Sequence, residues 1–341
     1  SGVAASAQMT LRAEDYMLDL DMESTLDSGS GQAMVSVGVS DFEMQDLPDL
    51  VPILPRFDGL DVHVDGELDL VFDRNLHLER SSFLIEAAGG RVDMPAVFDA
   101  PFSFGPSHSA GFLRPGLSGI EIVELDLDLG LEQTSGQIVI EGFAPDSLID
   151  VRLDIAGLPL DDLGKFWPNK LMPRARAWLT DRLSDGRIEQ ASVAFKATID
   201  DLARDHLPLE NLIISLDATG ATVEYLQGMP VVRDIDGHVA IIDDSMRIDA
   251  VGGHIGNLTS ERSVLSMERL NGSKGMLVGV EMRGPAREVL ELASREPYAL
   301  TGKVGLDPEL VSGSFSGRLE LVVPRLVDLV PADVLYRIAV D

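Results

Sequence analysis

The chain contains no cysteine. That excludes disulfides, thiolate metal sites and cysteine nucleophiles, and it leaves the compartment undecided, because oxidising and reducing compartments both hold cysteine-free proteins. Aromatic residues make up only 5% of the chain, which is poor provision for stacking on sugars. Cations are scarce too: 27 Lys and Arg stand against 57 Asp and Glu, a formal charge of −30. Such a surface repels phosphate backbones, which excludes nucleic acid as a partner, and it disfavours lying flat on an anionic bilayer. Membrane contact then has to be local, through an apolar mouth or a basic element. No apolar run reaches the roughly eighteen residues of a bilayer-crossing helix. The opening "SGVAASAQMT" has neither the basic head nor the apolar stretch of a signal peptide, and the abrupt termini read as the limits of a soluble segment of something longer.

Signatures of catalysis are missing as well. The histidines (His63, His77, His108, His206, His238 and His254) are scattered, and none stands in an HExxH spacing. "GPSHSAG" and "GSFSG" carry no serine at the centre of G-x-S-x-G. "DVHVDG" opens like a calcium loop, but His63 and Phe72 occupy its third and twelfth positions, where oxygen ligands are required. Aspartates are spread evenly, with no pair set apart for glycoside chemistry. No catalytic residue, metal or cofactor is expected.

What the sequence has in abundance is alternation. "LDVHVDGELDLVF" (Leu60 to Phe72), "HVAII" (His238 to Ile242) and "GRLELVV" (Gly317 to Val323) place apolar and polar residues in turn, the pattern of half-buried strands. In "GIEIVELDLDLGLE" the apolar positions change parity at Ile122–Val123, which predicts a bulge. Many of these runs begin with a glycine: Gly66, Gly90, Gly136, Gly237, Gly302 and Gly317, with Gly186 a partial seventh. Each is read as a hairpin turn feeding a strand. The spacing of these glycines is uneven, so the pattern is a long antiparallel meander rather than a strict repeat. "PAREVLELAS" (Pro285 to Ser294) reads as a helix with Pro in its first turn, and "DLPDLVPILP" (Asp46 to Pro55) as short turns.

One stretch differs from the rest. Residues 165–187 hold both tryptophans, and six cations (Lys165, Lys170, Arg174, Arg176, Arg182, Arg187) against two anions (Asp181, Asp185). Pro173 starts a helix, Trp178, Leu179 and Leu183 form its apolar stripe, and Asp185-Gly186 ends it. Three readings stand: a strut between two β segments, an element touching lipid headgroups, or a protein interface.

"LPLDDLGKFWPNKLMPRARAWLTDRLSDGRIEQASVAF" (Leu158 to Phe195) resembles the Trp-Pro, Ala-Arg-x-Trp-Leu and Gly-x-Ile run of the AsmA-like bacterial envelope proteins, in the branch that includes YhdP. "ATVEYLQGMPVVRDIDGHVAIIDDSMRIDAVGGHIG" (Ala221 to Gly256) is similar to the family's Tyr-Leu, Gly-x-Pro and Gly-led strand. The resemblance covers most of residues 40–325. It implies a gutter-like β-sheet with an apolar interior, anchored in the inner membrane, crossing the periplasm and carrying phospholipid towards the outer membrane. This chain lacks the family's N-terminal membrane helix and is far shorter than a periplasm-spanning member, so any anchor belongs to a parent protein.

The combined expectation is a mainly β fold: a long, strongly curved antiparallel sheet forming an open groove, with a few short helices. Its parts would be a first β-groove segment (1–164), the basic helix (165–187) and a second β-groove segment (188–341) with a short helix near 285–294. Val123, Leu125, Leu127, Leu129, Leu131, Ile138, Ile140, Val239 and Ile241 are the candidate groove lining, and Trp167, Arg174, Arg176 and Trp178 the headgroup or strut residues. The expected partner is phospholipid, sheltered in transit because each methylene exposed to water costs about 0.8 kcal/mol. The competing reading is a structural envelope protein whose apolar interior is only its core.

Overall fold

The computed structural model describes residues 2–12, 17–46, 59–203, 208–225, 228–268, 275–295, 307–323 and 335–340. The expected 47–55 turns, the strand led by Gly302, and His206 lie outside the described residues. The chain forms two compact units: Ser1–Ala156 with Pro168–Lys170 and Val193–Asn211, and Gly157–Trp167 with Leu171–Ser192 and Leu212–Asp341.

The first unit is an antiparallel meander. Its strands are β1 (Gly2–Arg12), β2 (Met17–Asp27), β3 (Ala33–Glu43), β4 (Leu60–Phe72), β5 (Leu78–Val92), β6 (Phe102–Phe104), β7 (Ser107–Leu113), β8 (Ile120–Asp126), β9 (Gln133–Glu141) and β10 (Leu148–Pro159), the last belonging here as far as Ala156. Successive strands pair, with β5 taking both β6 and β7. Alternation along each strand becomes rows across the sheet. Met22, Val37, Leu68, Phe83, Gly111, Ile122, Ile138 and Val151 stand opposite one another in turn. Phe42, Val62 and Val64 bury themselves on the apolar side with Leu20, Val39, Ile85 and Phe104 against them. On the opposite side Ser36 donates to Asp69 at 2.6 Å, and His63 sits 2.9 Å from Asp41.

The second unit repeats the plan with β11 (Leu183–Ser184), β13 (Ile213–Val223), β14 (Val232–Ile242), β15 (Ser245–Ile255), β16 (Leu258–Glu268), β17 (Met276–Pro285), β18 (Ser314–Val323) and β19 (Leu335–Val340); β12 (Arg187–Thr198) runs through both units. β11 pairs β13, and from β13 to β19 every strand pairs its successor antiparallel. Among the described residues no pairing returns β19 to the start, so this sheet stays open. The expected mainly β, open antiparallel architecture with few helices is what the chain adopts.

Register shifts cross three of these ladders at one level, around Ala221, Gly252 and Ser260. Their backbone explains it: Asp234 (φ 55°), Gly220 (φ 67°) and Gly252 (φ 89°) adopt left-handed conformations that break the regular pleat.

Among the described residues the α-helical pieces are α1 (Leu163–Phe166), α2 (Pro173–Arg182), α3 (Ile199–Ala203) and α4 (Ala286–Ser294), with a few 3-10 turns besides. Pro173 does open α2, but the expected single basic helix is two short ones, and α2 stops at Arg182 because Leu183 turns extended to join β11. Asp185 and Gly186, both with positive φ, instead form the turn into β12. The leading glycines also need correction. Gly66, Gly90, Gly136, Gly237 and Gly317 sit inside strands, and none of them has a positive φ. Several are there because a neighbour lies over them: the Phe104 ring crosses Gly90, and the Phe315 ring crosses Gly317.

An alanine at Gly90 would place its Cβ 2.6 Å from Val62 Cγ2 and 2.7 Å from the Phe104 ring. Gly90→Ala is expected to destabilise the protein by about 1–3 kcal/mol through overpacking. Gly237→Ala, with no atom nearer than 3.4 Å, should change stability by less than about 0.5 kcal/mol. Urea denaturation of the two variants checks this, and equal midpoints would refute the close-approach explanation.

Candidate functional site

One face of the second unit's sheet is aliphatic from strand to strand. Leu216 of β13 stands opposite Val239, which stands opposite Ile248, then Leu265, Val278 and Leu321. The adjacent row on this face has smaller side chains at first: Ala218, Gly237, Ala250 and Ser263, before Val280 and Leu319. These two rows floor a groove with a cavity volume of about 660 Å³. Trp167, just after α1, Trp178 and Leu179 of α2, and Val289, Leu292 and Ala293 of α4 border it.

The floor is only half-buried at Val239, Ile248, Leu265, Val278, Leu319 and Leu321. By contrast, Ile188, Leu212 and Ile241 are fully buried. The other face of the same sheet is charged and self-paired: His238 lies 2.8 Å from Asp217, Arg247 donates to Asp249 at 2.7 Å, and Arg283 reaches Glu261 at 2.7 Å. One face is therefore mainly aliphatic, and the other carries these ion pairs among exposed apolar residues such as Leu277 and Val322.

The helices are fixed by polar ties. Arg176 donates from Nη2 to Gly164 O at 2.8 Å and from Nε to Trp167 O at 3.1 Å, so its guanidinium binds α1 to α2. Trp167 donates its indole N–H to Leu171 O at 2.8 Å, which leaves its ring body to line the groove. At α4, the Glu288 carboxylate accepts from Asn257 Nδ2 at 2.6 Å and from Asn257 N at 2.9 Å, holding the helix to the β15–β16 turn.

Of the residues singled out in the sequence, Val239, Ile241, Trp167 and Trp178 line this groove. Arg174 takes its place in α2, and its side chain lies outside the described residues. Arg176 also lies in the second unit, tying α1 to α2, and the others belong to the first unit. Leu125, Ile138 and Ile140 fall in its cross-strand rows, opposite Gly136, Ile122 and Ile120. The bulge expected at Ile122–Val123 is present, and it turns Val123 outward to 45% exposure, leaving Ile122 in the apolar row. Leu127, Leu129 and Leu131 lie beyond the end of β8, in a turn where Asp128 accepts from Gly130 N at 3.0 Å and Gly130 has φ 72°. Alternation continues through that turn, but an aspartate that bonds its own backbone ends the strand.

Sequence reasoning missed Leu265, Val278 and Val280. In "SVLSM" and "MLVGVEM" apolar residues occur at both parities, so the inward set is fixed only by register with the neighbouring strands. Outside the groove, His108, Glu124 and Asp126 bring ligand-type atoms together within 4.8 Å, but all three are solvent-accessible and His108 already lies 3.3 Å from each carboxylate. That arrangement is the same ionic pairing seen along the rest of the polar face.

The hydrogen bonds from Asn257 hold the Glu288 carboxyl below its ordinary value, the side-chain amide contributing most and the backbone N–H next. A lowered carboxyl supplies stabilisation above its unfolded value that is lost as pH falls through its folded value. Amide exchange in α4 should therefore stay slow at neutral pH and quicken as the medium is acidified through the carboxylate range. Glu288→Gln should show no such acid step, and an identical step in that variant would assign it elsewhere.

A family model described as YhdP protein matches residues 39–325, from within β3 to just past β18. No curated protein and no solved structure matches the chain. The matched span contains β4 to β18, the Trp-bearing stretch with its helices and all the described residues that line the groove, while β1, β2, most of β3 and β19 lie outside it. The chain belongs to the YhdP family of AsmA-like, bridge-like lipid-transfer proteins of the cell envelope.

Proposed function

We propose that the groove of the second unit shelters the acyl chains of a phospholipid, and that this chain is a working segment of a periplasmic conduit between inner and outer membranes. Attachment to the inner membrane is then provided by an anchor elsewhere in the parent protein. The observation that carries this reading is the half-buried aliphatic floor running from Leu216 to Leu321 over six strands beside a volume of about 660 Å³. That volume lies within the roughly 300–1,000 Å³ usual for small-molecule sites. A contiguous apolar surface left open to water marks a binding site. Apart from Ser263 the rows are without polar side chains, so they hold hydrocarbon without fixing its position. Weak, repeated contact of this kind suits a cargo that has to move on, and no bond is made or broken.

Purified protein, extracted and examined by mass spectrometry, is expected to yield phospholipid. A photo-crosslinking residue at Val239 should capture lipid in cells, while one at His238, on the ionic face, should not. Val278→Asp puts a charge into the floor at a half-buried position, and should cut lipid loading by more than about tenfold. Absence of lipid from the extract together with no capture at Val239 would make the groove the plain core of a structural envelope protein.

A further inference from the structure

Among the described residues lining the groove, Arg182 is the one charged side chain. It is the last residue of α2, and the next residue, Leu183, pairs with Val223 of β13. This places Arg182 at the strand ends where both α2 and α4 border the groove. Its Nη1 lies 3.3 Å from Glu224 Oε1, and its own carbonyl accepts from Glu224 N at 2.9 Å. Backbone and side chain together therefore hold the two charges side by side. Trp178, one turn earlier, and Tyr225, the residue after Glu224, line the same end.

The pair is not sealed into the core: the Arg182 side chain is 33% exposed and that of Glu224 41%. An accessible ion pair of this kind contributes little to stability. A guanidinium has five donors and Glu224 engages one edge of it, which leaves donors for a phosphate. The carboxylate in turn has acceptor sites to spare for an ammonium. A headgroup carrying both charges would find each beside its opposite, with its acyl chains lying along the aliphatic floor. A headgroup with only negative charge would meet Glu224 and the field of a protein whose formal charge is −30.

We propose that Arg182 and Glu224 form the headgroup site of this groove and select phospholipids with a zwitterionic phosphate–ammonium head over those with a net anionic head. This rests on the groove's being a lipid carrier, and it assigns the headgroup contact to Arg182, since Arg176 is committed to backbone carbonyls.

The test incubates the full chain, stripped of lipid, with vesicles of phosphatidylethanolamine and phosphatidylglycerol in equal parts. A second set of vesicles is doped with diacylglycerol, which has the acyl chains and no charged head. Wild type should take phosphatidylethanolamine about tenfold over phosphatidylglycerol. Glu224→Gln should bring the two close to equal, and Arg182→Gln should lower uptake of both by about tenfold, while diacylglycerol uptake stays unchanged in each variant. Arg182→Lys keeps the charge but loses the second guanidinium edge, and should fall between wild type and the glutamine variant for phosphatidylethanolamine. An unaltered lipid ratio in both glutamine variants, with diacylglycerol uptake intact, would overturn the headgroup site and leave the lipid groove standing. A lysine variant as poor as the glutamine one would also overturn it. Wild-type protein that takes up neither phospholipid nor diacylglycerol would remove the groove reading itself.

Discussion

Parity along an antiparallel strand, kept in step with the strands on either side, is the constraint on which the rest of this structure depends. A strand puts alternate residues on opposite faces, but that yields a continuous apolar surface only if each neighbour pairs in the register that aligns inward residue with inward residue. Leu216, Val239, Ile248, Leu265, Val278 and Leu321 are aligned in this way. A slip of one residue at β15 would bring Asp249 opposite Val239 and break the row in the middle. The ionic face depends on the same alignment, since Asp217 opposite His238 and His238 opposite Asp249 are the same ladder seen from the other side.

The helices add ends to a surface that the strands would otherwise leave uniform. Arg176 reaches back across the α1–α2 turn to two carbonyls, and Glu288 grips Asn257 at the β15–β16 turn. Each tie joins a charged group to neutral backbone or amide partners, which are stronger than neutral hydrogen bonds. The basic stretch that stands out in so acidic a chain is thus divided in use. Arg176 serves the fold, Lys165 lies over the Phe166 ring at 4.9 Å, and Arg182 is left at the groove.

Much of this fold was legible in the order of residues, and the limits of legibility have physical causes. "LDVHVDGELDLVF" coincides with β4 from end to end, and Pro285 marks the entry to α4. The bulge beside Val123 followed from a change of parity. The interior glycines misled, because a missing side chain serves a positive φ and a crossing aromatic ring equally well, and only spatial neighbours tell these apart. Groove residues such as Val278 were hidden because Leu277 beside it is apolar too, at 57% exposure. Arg176 and Arg182 look alike in sequence; their difference lies in partners twelve residues back for one and forty-two residues on for the other. The family landmark around the tryptophans carried identity further than alternation could.

The register shifts that line up near Ala221, Gly252 and Ser260 have a mechanical consequence. Each extra residue locks its pair of strands like a tooth in a ratchet, because sliding one strand past its neighbour would move the bulge away from the residues able to adopt its conformation. With three ladders pinned at the same level, a slip of register is opposed in each of them. The bulges thus guard the alignment of the aliphatic rows as teeth guard the setting of a gear.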